Sequence, residues 1–205
     1  MLVEPFFLTP ADLAGAPPIY ADSRVDPLIN AGEYFSALAR DLERLGRHAD
    51  PAANAGEFLF ITGYAVNLVY PGAPLLLPGP DGPRRLVDLL IEKARRGVQV
   101  RVLAWIPWPL ALANRLDLRP ESADNMRSVL ALRAEPALAR AVCLNIVSHP
   151  AGSAHAKLVV CGCAPAGSVP PAAGEGWAAG YTGGIDLSPD RAEPNWLDVQ
   201  ARLEG

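Results

Sequence analysis

A chain of 205 residues, half of them hydrophobic and 20% charged, is long enough to bury a substantial core and too apolar to stay unfolded. Its net charge of −4 argues against nucleic acid as a partner, because affinity for a phosphate backbone comes mainly from clustered Lys and Arg. Three cysteines, an odd and sparse count, do not make a disulfide framework. The opening MLVEPFFLTP lacks the basic start and long apolar run of a signal peptide, and every apolar run is broken by Pro, Gly or charge before it could span a bilayer. A cytoplasmic location is the expectation. No internal repeat is visible, and the 21 prolines gather between periodic segments, which predicts one compact domain over residues 1–205.

The first predicted element is a helix from about Asn30 to Arg47. Asn30 is a good cap, Glu33 stands three residues on as in a capping box, and Tyr34, Phe35, Leu38, Leu42 and Leu45 share one face. Phe58 to Thr62 reads as a short buried strand. A Pro/Gly-rich loop from Pro71 to Pro83 leads to a helix with Leu86, Leu89, Leu90 and Ala94 on its apolar face, Pro83 in its first turn and Gly97 at its end. Val98 to Trp105 is the next strand, so strand, helix and strand make a βαβ unit with parallel pairing. Glu121 to about Arg140 is helical in character, with a break at Pro136. Val142–Val147, Leu158–Cys161, Ala178–Thr182 and Val199–Leu203 read as further strands. Residues 164–176 are small, Pro-rich and charge-poor, and are expected to be a surface loop insertion. The fold class is α/β: a mixed sheet flanked by helices on both faces.

Three places could carry chemistry. His155 and Lys157 lie two apart at the start of a strand, so both side chains project to one face beside the small residues Ala151, Gly152 and Ser153. An ammonium there is suited to hold an anion such as phosphate. Thr182-Gly183-Gly184-Ile185-Asp186 allows a tight turn and close approach of backbone to a ligand, with Asp186 a ligand contact or a cap. Trp196-Leu197-Asp198-Val199 sets a carboxylate at the start of a strand, where it could orient an imidazole; spacing alone does not bring Asp198 to His155. Cys161-Gly162-Cys163 lacks the second pair and ligand-spaced His of a metal site and reads as small residues at the end of a buried strand. His48 is expected at the surface, and His149, followed by no lysine in register, near the mouth of the site.

Taken in order, the run Ala154-His155-Ala156-Lys157-Leu158-Val159-Val160, the turn Tyr181-Thr182-Gly183-Gly184-Ile185-Asp186-Leu187 and the segment Trp196-Leu197-Asp198-Val199 resemble the first catalytic motif of the phospholipase D superfamily. The segments Pro27–Phe35, Ile61-Thr62-Gly63-Tyr64 and Lys93–Leu103 agree with it, so the resemblance covers about Val25 to Gly205. It implies phosphodiester cleavage through a phosphohistidine, most readily of phospholipids at a membrane surface, with neither metal nor other cofactor. It implies that His155 is nucleophile or general acid, that Lys157 binds phosphate oxygens, that Gly183, Gly184 and Asp186 shape the phosphate site, and that Asp198 is the acidic partner of His155.

The resemblance has departures. The family's motif carries an aspartate five residues after the lysine, where this chain has Gly162, and Leu197 replaces the usual histidine before the aspartate. The family joins two His-x-Lys motifs in one site, and this sequence holds one. Three functions follow: an enzyme half completed by a second catalytic half, a single-motif homodimer like the family's small nucleases, or a degenerate domain that binds without turnover.

Overall fold

The computed structural model describes residues 23–69, 73–107, 120–147, 155–164, 176–192 and 197–205. The centre of the molecule is a seven-stranded mixed sheet of β1 (Arg24–Asn30), β2 (Glu57–Gly63), β5 (Gln99–Pro107), β6 (Val142–Val147), β7 (Lys157–Cys163), β8 (Trp177–Gly183) and β9 (Leu197–Glu204), in the order β1-β9-β8-β7-β2-β5-β6. β2, β5 and β6 run parallel, as the βαβ pattern predicts, and β7, β8, β9 and β1 pair antiparallel in succession from the other side of β2. A two-residue pair, β3 (Leu76–Leu77) with β4 (Arg84–Arg85), stands apart.

Three helices, α1 (Ala31–Arg44), α2 (Leu86–Arg95) and α3 (Pro120–Arg133), complete the described α/β domain. Asn30 accepts a hydrogen bond from the Glu33 N–H at 2.9 Å, and the Glu33 carboxylate accepts from the Ile29 N–H at 2.8 Å. This is the expected cap, with its return bond one residue earlier than a capping box places it. Leu38 and Leu42, each 1% exposed, join Leu90, Leu132, Val100, Val102, Val159, Ala179 and Tyr181 in a single core. Burial of each such leucine contributes about 2 kcal/mol. All these strand residues lie on one face of the sheet, so among the described residues the helices gather on that face.

Three boundaries differ from expectation. Pro27, placed in no predicted element, lies in β1. The strand is at the sheet's edge, where a residue without an N–H costs little. Pro83 is not in the first turn of α2, because Arg84 and Arg85 are drawn into pairing with Leu77 and Leu76 before the helix begins at Leu86. α3 ends at Arg133, ahead of Pro136, rather than continuing to Arg140. Gly97 stops α2 with φ +89°, and a Cβ there would collide with the Pro51 carbonyl. The expected loop insertion lies almost wholly outside the described residues.

Candidate active site

The carboxyl ends of the parallel strands β2 and β5 and the amino end of β7 meet at one end of the sheet, a place where α/β folds commonly bind ligands. Lys157 opens β7 opposite Gly63 of β2, and His155 stands two residues before it. His155 is exposed, whereas Lys157 is 8% exposed. The chain leaves β2 at Gly63, where a Cβ would press to 2.7 Å from Val66. The next residue, Tyr64, donates its N–H to the Ala156 carbonyl at 3.0 Å. Its ring meets the imidazole of His155 at 4.7 Å between centroids and stacks on Trp105 at 4.9 Å. Asn125 of α3 fastens this corner, donating to the Tyr64 and Trp105 carbonyls and accepting from the Val66 N–H, each at 2.7 Å.

The Lys157 ammonium has three neighbours. Nζ is 3.3 Å from Oδ2 of Asp186, 3.3 and 3.2 Å from Nδ1 and Nε2 of His155, and 5.4 Å from the Tyr64 ring centroid. Near-equal distances to both ring nitrogens put the ammonium against the imidazole face rather than on one lone pair. Asp186, 4% exposed, uses its other oxygen to accept from the Ala65 N–H at 2.9 Å. The carboxylate therefore clamps the lysine to the loop after β2, and removing either charge would strand the other in the interior at a cost of about 3–5 kcal/mol.

The two glycines before Asp186 are steric necessities. A Cβ on Gly183 would run into the Val199 carbonyl and Gln200, and one on Gly184 into the carboxylate of Asp198. Their absence lets β9 close against the turn, which is tied by the Gly184 N–H to the Val199 carbonyl at 3.0 Å and the Ile185 N–H to Oε1 of Gln200 at 3.2 Å. Asp198 thus lies against Gly184, and its Oδ1 accepts from the Val199 N–H at 2.7 Å. It makes no hydrogen bond to His155. The structure brings His155, Lys157 and Asp186 together, and brings Asp198 to the Gly183–Gly184 turn beside them.

Sequence reasoning did not select Tyr64 as a site residue, nor Gln200. Tyr64 directly follows a buried parallel strand, the position from which side chains reach a ligand crevice, and that was its available signal. Nothing local marks Gln200, whose carboxamide is 1% exposed and whose Nε2 lacks a partner among the described residues.

Gly162 lies five residues along β7 from Lys157, about 16 Å at strand spacing. A Cβ there would collide with the Trp177 carbonyl and reach 2.8 Å from Phe58. The position is packed and cannot hold an aspartate in this structure. Cys161 is buried and Cys163 half-buried on β7, while His48 is exposed, with its backbone bonded to Asn54. His149 and Trp196 lie outside the described residues, as does the side chain of Leu197.

No protein-family model matches the sequence, and no curated protein is detectably similar to it. Solved structures share its fold class. NucT from Helicobacter pylori superimposes with a TM-score of 0.45 at 11% identity, over 89% of this chain and 86% of that one. The phospholipase D family member Nuc from Salmonella typhimurium gives 0.44 at 12% identity, over 89% and 83%. A mutant yeast tyrosyl-DNA phosphodiesterase gives 0.35 at 9%, over 89% of this chain and 32% of that enzyme. No described helix is long and apolar enough to cross a membrane.

Proposed function

We propose that this protein is a phospholipase D-type phosphodiesterase whose reactive groups are His155 and Lys157. The observation that carries the proposal is the buried Lys157 ammonium, fixed by Asp186 and pressed against the exposed imidazole of His155. A fixed cation beside an accessible imidazole suits the demands of phosphoryl transfer, which are positioning and stabilisation of charge on the phosphoryl oxygens.

A ring nitrogen of His155 attacks phosphorus, a P–N bond forms, and the P–O bond to the leaving alcohol breaks. Lys157 balances the negative charge on the non-bridging oxygens, while Gly183 and Gly184 let β9 close against the turn that carries Asp186. Asp186 positions Lys157, and Asp198 supports the turn from its other side. The leaving oxygen takes its proton from a second histidine acting as general acid. Water then attacks the phosphohistidine, the P–N bond breaks, and the second histidine accepts the water's proton. Among the described residues the other histidine is His48, tied by its backbone to Asn54, so the proposal assigns the second role to His155 of another copy of the chain.

The proposed substrate class is phospholipid, presented at a membrane surface. The Gly183-Gly184-Ile185-Asp186 turn and the Asp198-Val199-Gln200-Ala201-Arg202 strand resemble the lipase branch, and a net charge of −4 disfavours a polyanion. The test is hydrolysis of bis(p-nitrophenyl) phosphate, of phosphatidylcholine vesicles and of single-stranded DNA by the purified chain, beside His155→Ala. Phosphodiester hydrolysis that falls by about 10³-fold or more in the variant is expected. Equal rates in the two proteins remove His155 from the chemistry and the proposal with it. A preference for DNA over vesicles overturns the phospholipid assignment alone.

A further inference from the structure

Among the described residues no carboxylate or carbonyl bonds a ring nitrogen of His155. The Lys157 ammonium lies 3.3 and 3.2 Å from the two nitrogens, and Asp198 accepts from the Val199 N–H instead. An exposed imidazole without such a partner can turn about its side-chain torsions, whereas attack on phosphorus needs one nitrogen held on target. What lies against it is the ring of Tyr64, 4.7 Å away between centroids and tilted by 51°.

Tyr64 is itself fixed. Its ring stacks on Trp105 at 4.9 Å and 19°, and Trp105 is 4% exposed. The row of rings thus runs from buried Trp105 through half-buried Tyr64 to exposed His155. The Tyr64 N–H bonds the carbonyl of Ala156, the residue between His155 and Lys157, and its own carbonyl takes a bond from the buried Asn125. Ring and main chain therefore both register Tyr64 on the segment that carries the two reactive groups. The same ring centroid lies 5.4 Å from Lys157 Nζ.

We propose that Tyr64 is the positioning residue for His155: its ring fixes the plane of the imidazole and stabilises the positive charge the imidazole acquires. The inference rests on the reading of His155 as the group that attacks phosphorus. As the P–N bond forms and the P–O bond to the leaving alcohol breaks, one nitrogen gives its electron pair to phosphorus. The other nitrogen keeps its proton, so the ring becomes a cation. The Lys157 ammonium opposes that charge, and the carboxylate of Asp186 is already engaged by the ammonium at 3.3 Å. A tyrosine ring is electron-rich on its face and attracts a cation within about 6 Å of its centroid. An aliphatic side chain of similar bulk would fill the corner without supplying that attraction.

The experiment compares Tyr64→Leu and Tyr64→Phe with the parent chain. It measures steady-state hydrolysis of bis(p-nitrophenyl) phosphate and the NMR titration of the ¹³C-labelled His155 ring, with circular dichroism to establish folding. Leu keeps the apolar bulk and Phe keeps the ring. Tyr64→Leu should lower kcat by about 10–100-fold with KM within about twofold, while Tyr64→Phe keeps at least about a third of the parent kcat. The midpoint of the imidazole titration should fall by about half a pH unit or more in Tyr64→Leu and stay in place in Tyr64→Phe. Equal midpoints in the three proteins, a loss that lies in KM, or a Tyr64→Phe as impaired as Tyr64→Leu overturns the proposal. A parent that hydrolyses no phosphodiester counts against the enzymatic function instead. The titration then decides alone: a midpoint lowered in Tyr64→Leu but not in Tyr64→Phe upholds the role of the ring, and equal midpoints overturn it.

Discussion

Two clusters of buried charge flank β9, and they are built to opposite ends. Toward the carboxyl end of β9, Asp41 of α1 receives Arg202 Nε at 2.8 Å, Arg202 Nη2 at 3.1 Å, the Tyr181 hydroxyl at 2.5 Å and Arg44 Nη1 at 3.3 Å. Arg202 also donates to Glu204 at 2.9 Å, and Arg44 bonds Glu204 at 3.0 Å while lying 3.5 Å over the Trp177 ring. Charge is satisfied several times over, each group of the cluster being bonded to at least one partner inside it. Toward the amino end of β9, Lys157 has one carboxylate, 3.3 Å away, and an imidazole open to solvent. A network saturated by its own partners stabilises; a cation with one partner and an exposed neighbour can still serve a substrate.

That contrast is broken most severely at Lys157. Lys157→Met should lower phosphodiester hydrolysis by about 10²–10³-fold, the loss typical of one charge-stabilising donor. It should also destabilise the fold by about 3–5 kcal/mol, because Asp186 is left buried and unpaired. Arg202→Met should cost less, about 1–3 kcal/mol, since Asp41 keeps the Tyr181 hydroxyl and Arg44, and should leave the activity per folded molecule within about twofold. Denaturant unfolding and turnover on the same preparations check both. Equal loss of specific activity in the two variants would erase the distinction between the clusters.

The two site carboxylates sharpen it further. Asp186→Asn keeps a bond to the Ala65 N–H but releases Lys157, and a displaced catalytic group can cost about 10²-fold. Asp198→Asn keeps a bond to the Val199 N–H and should lower the rate by less than about tenfold, since its carboxylate is not on His155. The reverse order of effects would return Asp198 to the role of direct partner to the histidine.

How far the sequence speaks follows the same division between near and far. The pairing of His155 with Lys157 is an i, i+2 relation, and α1, with Asn30 and Glu33 at its start, is written in one run of sequence; both were legible. The parallel pairing of β2 with β5 followed from the helix between them. The insertion of β7 between β2 and β8 did not, because strand neighbours far apart in sequence leave no local mark. For the same reason Asp186 was seen as a turn residue near phosphate and not as the clamp on Lys157, and the row of Tyr64, His155 and Trp105 rings, assembled from the ends of three strands, went unseen. β1 was lost to the helix that follows it, since Pro27 and the capping pattern outweighed a short edge strand.

Acid should expose the saturated cluster. The Glu204 carboxyl is held down to about 2, chiefly by its hydrogen bond from Arg202 and then by Arg44, against the opposing effect of burial. An unfolded glutamate titrates near 4.3. A carboxyl depressed in the fold stabilises it above the unfolded value, and that contribution is lost as pH falls from about 4.3 toward 2. Thermal unfolding between pH 6 and 2 should therefore steepen in this window, and Glu204→Gln should flatten it. Parallel curves for the two proteins would mean that the acid response lies elsewhere.

The smallest effect expected lies between the two clusters, at the middle of β7. The Cys161 thiol is pushed up to about 12, first by burial and next by the nearby Asp41 charge, with Arg202 and Arg44 pulling the other way. Thiolate is the reactive form, so Cys161 should resist a neutral alkylating reagent at pH 8 while the exposed Cys143 reacts. Arg202→Met removes one of the cations that favour the thiolate, so in the folded variant Cys161 should be no more reactive than in the parent, and its labelling should report only the molecules that have opened. Mass spectrometry of the alkylated peptides then reads opening of the saturated cluster directly. Labelling of Cys161 at the rate of Cys143 in the folded parent would mean that the centre of the sheet is accessible, and that the Asp41–Arg202 cluster is not closed in the way its hydrogen bonds imply.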